Sequence, residues 1–191
     1  MEQLMSTGGG WQDQVGGLTD GIKLVTTRPG LMQNIEVQHL QIPEEALQEL
    51  KDRFVLIYTG QRRLARNLLR EVVGGYIGSN SNSLQVLYEI QQVAVLMKFE
   101  LEKGNVDGFA ELLERHWELS RRLDGGSTNT CIDQIFLSCE DLLEARMICG
   151  AGGGGFLQAI LKKGCTKKQL RERIRSVFQD SGVDVWDCEL V

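Results

Sequence analysis

The chain has 191 residues with 22 glycines and only two prolines, and 42% of its residues are hydrophobic. These proportions exclude a collagen-like repeat and argue against a disordered chain. The formal net charge of −5 argues against a role in binding nucleic acid. The five cysteines form no CxxC pair, which predicts reduced thiols in a cytoplasmic protein. No apolar run approaches the roughly 18 residues of a membrane span, so we expect no membrane partner.

Residues 1–60 are predicted to be rich in β-structure. Alternation of apolar and polar residues predicts strands at 22–26 and 34–42. Pro43 precedes a predicted helix at 44–53. The unbroken apolar run at 54–58 predicts a strand that is buried on both faces.

From residue 61 onward the pattern is mainly helical. Apolar spacings of three and four predict helices over 64–72, 87–101 and 106–117, and the spacing of Thr130 and Asp133 predicts a cap that starts another. Strands are predicted at 147–149, 156–161 and 183–190, with a basic helix at 167–179. We therefore expect an α+β fold.

The first glycine cluster, at residues 7–17, contains one carboxylate. Asp13 lies between Gln12 and Gln14, and an Asp with polar neighbours suits a general base. The alternative is a glycine-rich turn whose Asp caps a helix, and the spacing alone favours this alternative. Trp11 could stack on a sugar ring or pack against the loop.

The second glycine cluster spans residues 150–155. Consecutive N–H groups in such a loop can form an anion-binding nest. The cluster lacks the Gly-Lys-Ser/Thr end of a Walker loop, and it does not open a helix as a dinucleotide fingerprint does. The alternative is a loose hairpin connection, but so many glycines cost backbone entropy, which favours a functional loop.

Seven basic residues lie between positions 162 and 175. They could bind phosphate or nucleic acid, but a solvated helix face is the favoured interpretation. They are Lys162, Lys163, Lys167, Lys168, Arg171, Arg173 and Arg175. We also expect structural roles for His39 and His116, and core positions for Trp117 and Trp186.

Taken together, the two glycine clusters resemble signatures of the GHMP sugar and metabolite kinases. Residues 7–17 are similar to the second signature and residues 150–156 to the third. Residues 63–69, which follow Tyr58-Thr59-Gly60, resemble the L-fucokinase branch. The heptose kinases share the Gly-Gly-Trp-Gln-Asp-Gln core but match residues 63–69 less well. The resemblance covers essentially the whole chain.

The resemblance implies ATP-dependent phosphorylation of the anomeric hydroxyl of L-fucose to fucose 1-phosphate. It implies that Asp13 is the catalytic carboxylate, which accepts or polarises the hydroxyl proton. The residues implied on the sugar side are Gly9, Gly10, Trp11, Gln12 and Gln14. The implied nucleotide-phosphate loop is Gly150, Ala151, Gly152, Gly153, Gly154 and Gly155. Mg²⁺ would bridge the phosphates, and the resemblance assigns it no ligand in this chain.

One family signature has no counterpart in the sequence. The GHMP kinases hold the ATP phosphates on a Pro-rich, Gly-Leu-Ser-Ser-type loop at a helix N-terminus, and residues 1–191 contain no such segment. The resemblance therefore implies a C-terminal piece of a fucokinase, inactive alone, with the missing N-terminal half as its partner. Residues 1–60 would be the tail of the ribosomal-S5-like N-terminal kinase domain, and 61–191 the C-terminal GHMP domain, a sheet covered by helices. A piece of a D-glycero-D-manno-heptose-type kinase and a non-catalytic binding or regulatory module remain as alternatives.

Overall fold

A computed structural model of the chain describes residues 11–28, 30, 34–61, 74, 78, 81–150, 152–188 and 190. Its helices are α1 (Gln12–Leu18), α2 (Glu44–Arg53), α3 (Ser81–Glu102), α4 (Val106–Leu123), α5 (Thr130–Ser138) and α6 (Lys167–Phe178). Its strands are β1 (Lys23–Thr27), β2 (Ile35–His39), β3 (Phe54–Thr59), β4 (Leu143–Ile148), β5 (Phe156–Leu161) and β6 (Val183–Trp186). The expected α+β class is confirmed. The helix predicted over 64–72 lies outside the described residues.

The strands form two sheets. β1 and β2 make an antiparallel ribbon in which Val25 lies opposite Val37. The other four strands form an antiparallel sheet in the order β4-β5-β3-β6. With the helices between them, β3 to β6 follow the β-α-β-β-α-β pattern of ferredoxin-like folds.

Helices cover both faces of the four-stranded sheet. Val55 and Ile57 of β3 pack on one face against α5 and α6, represented by Ile135 and Leu170. On the other face, Ile160 of β5 packs with residues of α2 and α4. Such burial, worth roughly 1.5–3 kcal/mol for each large apolar side chain, fixes the sheet between two helical layers.

β3 corrects one expectation. Its residues alternate, so that Val55, Ile57 and Thr59 are fully buried while the residues between them are only half-buried. The prediction that it is fully buried on both faces is therefore wrong. On this second face, the Tyr58 ring contacts the rings of Phe156 and Trp186, whose centroids lie 5.2 and 5.9 Å from its own.

Helix α2 matches its predicted bounds, Glu44–Arg53, to the residue. Pro43 lies at its start, acidic Glu44 and Glu45 occupy the first turn, and Lys51 and Arg53 the last turn. This distribution suits the helix dipole.

Arg53 fastens α2 to the rest of the fold. Its guanidinium is buried and donates to the Leu161 carbonyl of β5 at 2.8 Å and to the Asp107 carboxylate of α4 at 2.7 Å. Lys163 donates to the same carboxylate at 2.6 Å. The hydrogen bonds from Lys163 and from Arg53 lower the pKa of Asp107 from its ordinary value of 3.8. Charge and packing thus hold α2, α4 and β5 together.

Several boundaries differ from those predicted. The cap of α5 is Asn129, whose side-chain oxygen accepts the N–H of Ile132, so the capping role predicted for Thr130 is wrong. Asn is among the strongest capping residues, so it prevails over its neighbour. β4 begins at Leu143, earlier than predicted, and β6 ends at Trp186, earlier than predicted.

The predicted division at residue 60 falls directly after β3. In the sheet, however, β3 lies between β5 and β6, both of which come after residue 60. A division there would separate a central strand from both of its neighbours. We propose instead that the boundary lies near Pro43, so that α2 and β3 join the unit that follows.

Candidate functional site

The first glycine cluster leads into the short helix α1. Asp13 lies in its first turn, and Trp11 occupies the capping position without a side-chain capping bond. The alternative in which Asp13 caps a helix is therefore wrong, because Asp13 lies within the helix. Gln12 is exposed, and Trp11 and Gln14 are half-buried. The predicted sugar-side residues Gly9 and Gly10 lie outside the described residues.

The second glycine cluster connects β4 to β5. Gly150, Gly152, Gly153 and Gly155 have φ angles of 77°, 96°, 76° and 82°, a region that glycine occupies readily. Ala151 lies outside the described residues. The glycine content thus follows from a backbone path that other residues would adopt only with strain.

Gly152 also packs too tightly for any side chain. A Cβ atom at this position would lie 2.4 Å from the Ser127 carbonyl oxygen. Ser127 belongs to the 3-10 turn Gly125–Ser127 that precedes α5. The loop therefore lies directly against this turn, and glycine is required for that approach.

Two sets of hydrogen bonds hold the loop. At Gly153, the N–H donates to the Ser127 carbonyl at 2.9 Å and the carbonyl accepts the Asn129 amide at 3.0 Å. At Gly155, the N–H donates to the Gln61 carbonyl at 2.9 Å. The Gly155 carbonyl accepts both the N–H and the hydroxyl of Thr59, at 2.9 and 3.0 Å. Together they join the loop to the end of β3 and the start of α5.

These bonds limit the predicted anion nest. The N–H groups of Gly153 and Gly155 already donate within the protein, so in this conformation they cannot hold an anion. Gly154 lies between them, half-buried, and makes no hydrogen bond with any described residue. The Ser127 hydroxyl next to the loop is buried and also lacks a partner in the described part of the chain.

The sequence did not single out the residues that hold the loop. Thr59 lies 96 positions before its partner, and Asn129 lies 24 positions before its own. Asn129 could have been found as a helix cap, since Asn directly before a helical stretch is a capping signal. Its contact with Gly153 left no comparable signal.

The described structure does not join the two glycine clusters. Among the described residues, the hydrogen bonds of the 150–155 loop reach Thr59, Gln61, Ser127 and Asn129, and none reaches α1.

At the start of the loop, burial and the nearby Cys188 raise the pKa of Cys149 to about 11. Cys149 is therefore a neutral thiol at physiological pH.

Three of the seven basic residues form close ion pairs with carboxylates. Arg171 lies 2.6 Å from the carboxylate of Asp187, and Arg173 lies 2.8 Å from that of Asp141. Lys163 lies 2.6 Å from the carboxylate of Asp107. This pairing agrees with the favoured interpretation of a solvated helix face for these three residues.

The two tryptophans that were predicted to lie in the core differ in burial, and His116 has a local partner. Trp117 is buried in the core as expected, whereas Trp186 is 52% exposed, so its predicted core position is wrong. Burial lowers the pKa of His116, whose ring contacts the Ser120 hydroxyl at 3.2 Å. His116 thus has a local partner within α4.

Two kinds of feature are absent from the described residues. They contain no cluster of three or more His, Cys, Asp or Glu that could hold a metal. None of their helices combines the length and the apolar character needed to cross a membrane.

Comparison of the structure with solved structures defines its class. It is similar to a mevalonate kinase from L. major, with a TM-score of 0.68 and 12% identity, over 90% of this chain and 53% of that one. It is also similar to a putative sugar kinase from Campylobacter jejuni, with a TM-score of 0.64 and 23% identity, over 96% of this chain and 49% of that one. No family model matches the sequence. The chain has the fold of the GHMP kinases.

Comparison of the sequence with curated proteins identifies relatives of higher sequence identity. The chain is 34% identical over 181 residues to L-fucokinase/L-fucose-1-P guanylyltransferase of Bacteroides fragilis, and 33% identical over 174 residues to bifunctional fucokinase/GDP-fucose pyrophosphorylase of Arabidopsis thaliana. These alignments cover 95% and 91% of the chain but only 19% and 16% of the relatives. The sequence is therefore similar to that of fucokinases, and it aligns with a segment of these longer proteins.

Proposed function

We propose that this chain forms part of an ATP-dependent sugar-1-kinase that converts L-fucose to fucose 1-phosphate. The supporting observation is the similarity to two fucokinases over 91–95% of the chain. A heptose 7-phosphate kinase from Campylobacter jejuni matches less well, at 27% identity over 78% of the chain. The structure supports the proposal through the fold and through the fixed glycine loop.

In this proposal Asp13 accepts the proton of the anomeric hydroxyl. The anomeric oxygen forms a bond to the γ-phosphorus of ATP while the bond from that phosphorus to the bridging oxygen breaks, and ADP leaves. A positioned general base typically contributes a factor of about 10²–10⁴. Trp11, Gln12 and Gln14, with Gly9 and Gly10, would orient the sugar beside it.

The loop at 150–155 would lie behind the nucleotide phosphates. Its two anchored residues, Gly153 and Gly155, fix the backbone between them, so that ordering it costs little at the time of binding. Mg²⁺ would neutralise phosphate charge. The described residues offer no cluster of ligands for it, and no step above depends on it.

The activity is testable in a chimera. Residues 1–191 would replace the aligned segment of the Bacteroides fragilis relative, and fucose-dependent ADP formation would be measured. We expect turnover on the order of 1–100 s⁻¹, as in other kinases. The guanylyltransferase activity in that relative's name serves as an internal control for folding. An active guanylyltransferase without fucose phosphorylation would contradict the proposal.

The isolated chain should be assayed beside the chimera. We expect much slower turnover from it, because its sequence lacks the phosphate-binding signature of the family. Isolated-chain turnover equal to that of the chimera would refute this expectation.

Two alternatives can be separated in the same assay. Preference for a manno-heptose over L-fucose would favour the heptose-kinase alternative, which the 27% identical relative supports. Sugar binding without turnover in the chimera would favour a non-catalytic module. We also propose a cytoplasmic location, because the free thiols of the chain suit a reducing compartment.

A further inference from the structure

The glycine loop cannot fix its own conformation. Glycine samples more backbone conformations than any other residue, so a run of glycines has a high entropy when it is free. The path of residues 152–155 must therefore be set by the groups that bind it from outside. Thr59 and Gln61 hold Gly155, while the turn before α5 holds Gly153.

Asn129 is the side chain that holds Gly153, and it has two partners. Its Oδ1 accepts the N–H of Ile132 at 3.0 Å, which caps α5. Its Nδ2 donates to the Gly153 carbonyl at 3.0 Å. A capping residue needs only the oxygen. The amide nitrogen therefore does something that the cap does not require.

The Asn129 bond acts on the carbonyl of a residue whose N–H is already bonded within the protein. The Gly153 N–H donates to the Ser127 carbonyl, and Gly153 is buried. With both of its polar groups bonded, Gly153 is fixed relative to α5. Gly154, which follows, is half-buried and makes no bond to a described residue. Fixing Gly153 therefore orients Gly154, one of the loop residues whose polar groups are left open to a ligand.

We propose that Asn129 is a positioning residue: its amide nitrogen holds the 150–155 loop in the conformation that receives the nucleotide phosphates. Its effect on the reaction rests on the proposed kinase function, whereas its hold on the loop does not. Asn129 touches no reacting atom in this proposal and acts only through Gly153.

Asn105 supplies a matched control. It caps α4 by accepting the Gly108 N–H at 3.1 Å, and its amide donates to the Glu100 carboxylate at 2.6 Å. N129S and N105S each replace the capping amide oxygen by a hydroxyl oxygen that can still cap the helix, and each lose one amide donor. The two variants differ in what that donor held: the glycine loop or the Glu100 carboxylate.

The first measurement is amide hydrogen exchange of the 191-residue chain. In N129S we expect exchange of the Gly153 and Gly155 N–H groups to rise roughly three- to tenfold, as for the loss of one neutral hydrogen bond. In N105S these amides should exchange as in the parent chain. The β5 amides report on the sheet and should be unchanged in both variants.

The second measurement is steady-state kinetics in the chimera. N129S should raise KM for ATP about three- to tenfold and leave KM for fucose within about twofold, because the proposed function places the loop on the nucleotide side. A merely structural defect would reduce the active fraction and hence the apparent kcat, without this difference between the two substrates.

The outcomes are distinct. If amide exchange of the loop and KM for ATP are the same in N129S as in N105S, the positioning role is overturned. Faster loop exchange in N129S, with a parent chimera that does not phosphorylate fucose, would support the hold on the loop and reject the kinase function alone. Faster exchange together with a raised KM for ATP would support both.

Discussion

The two glycine-rich segments differ in what surrounds them. In α1, Gly16 and Gly17 are exposed, and an added Cβ atom would meet nothing within 4 Å. In the β4–β5 loop, Gly152 packs closely against the Ser127 carbonyl. Gly153 is buried, and both its N–H and its carbonyl are hydrogen-bonded. The same residue type is thus unconstrained in one segment and required by packing in the other.

This difference separates two functions of glycine. In the second segment, glycine permits a close approach and left-handed backbone angles, so its identity is explained by the fold. In the first segment, the described geometry gives no packing reason for Gly16 or Gly17. Substitutions in the two segments should therefore affect different properties of the protein.

The largest expected effect is on activity, in the first segment. In the chimera, D13N should lower kcat for fucose phosphorylation by about 10²–10⁴, because the amide cannot accept the proton. Its thermal unfolding should match that of the parent. D20N, at an exposed position just beyond α1, is the matched control and should retain activity. A D13N chimera with near-normal kcat would reject the proposed base.

The next effect is on stability, in the second segment. G152A should destabilise the chain by about 2–4 kcal/mol, because it combines a φ of 96° with a Cβ atom 2.4 Å from a carbonyl oxygen. Urea denaturation followed by circular dichroism measures this loss. An unchanged midpoint would mean that the loop can move away from Ser127 freely.

A smaller effect tests the charged anchor of the same unit. D107N should cost about 1 kcal/mol at pH 7, since the carboxylate is half-exposed but bonded to Arg53 and Lys163. The pKa of Asp107 is lowered in the folded chain. Its contribution to the free energy of unfolding is therefore full above about pH 4 and is lost as the pH falls through the folded pKa.

The pH dependence can be measured by urea denaturation between pH 3 and 7. The stability difference between the parent chain and D107N should shrink below about pH 4. D180N, at an exposed turn, is the control and should show no such trend. A difference that stayed constant down to pH 3 would exclude a stabilising charge on Asp107.

The smallest effect is a gain in stability in the first segment. G16A should stabilise the chain by about 0.5–1 kcal/mol, because alanine has a higher helix propensity and the site is open. The comparison with G152A is the sharpest test of the difference between the two segments. A clear loss of stability in G16A would reveal a packing role for the first segment.

The sequence predicted local features better than tertiary ones. The helix Glu44–Arg53 was predicted to the residue, because Pro43 and the charges at both ends are local signals. The position of the second glycine loop between two strands was also predicted. The anchors of that loop were not, because bonds such as that from Asn129 to Gly153 join residues far apart in sequence.

The errors have similar physical causes. Trp186 was predicted to be in the core from its apolar neighbours, but β6 is an edge strand and leaves the ring half-exposed. The division at residue 60, which followed from the family resemblance, stays a prediction, and the place of β3 among later strands favours the boundary that we propose near Pro43. Pairing between distant strands has no periodic signal in the sequence. Asp13 as a catalytic base remains a prediction.

The central place of β3 has a consequence for the nascent chain. Both neighbours of β3 are synthesised after it, and the bond from Thr59 to Gly155 closes a separation of 96 residues. At 5–20 residues per second, the ribosome needs roughly 5–20 s to add that stretch. During this interval β3 has two unpaired edges and an uncovered apolar face, which favour association with other chains. Slow or cold expression lengthens the interval, and chaperones that bind extended apolar segments should act on β3 first.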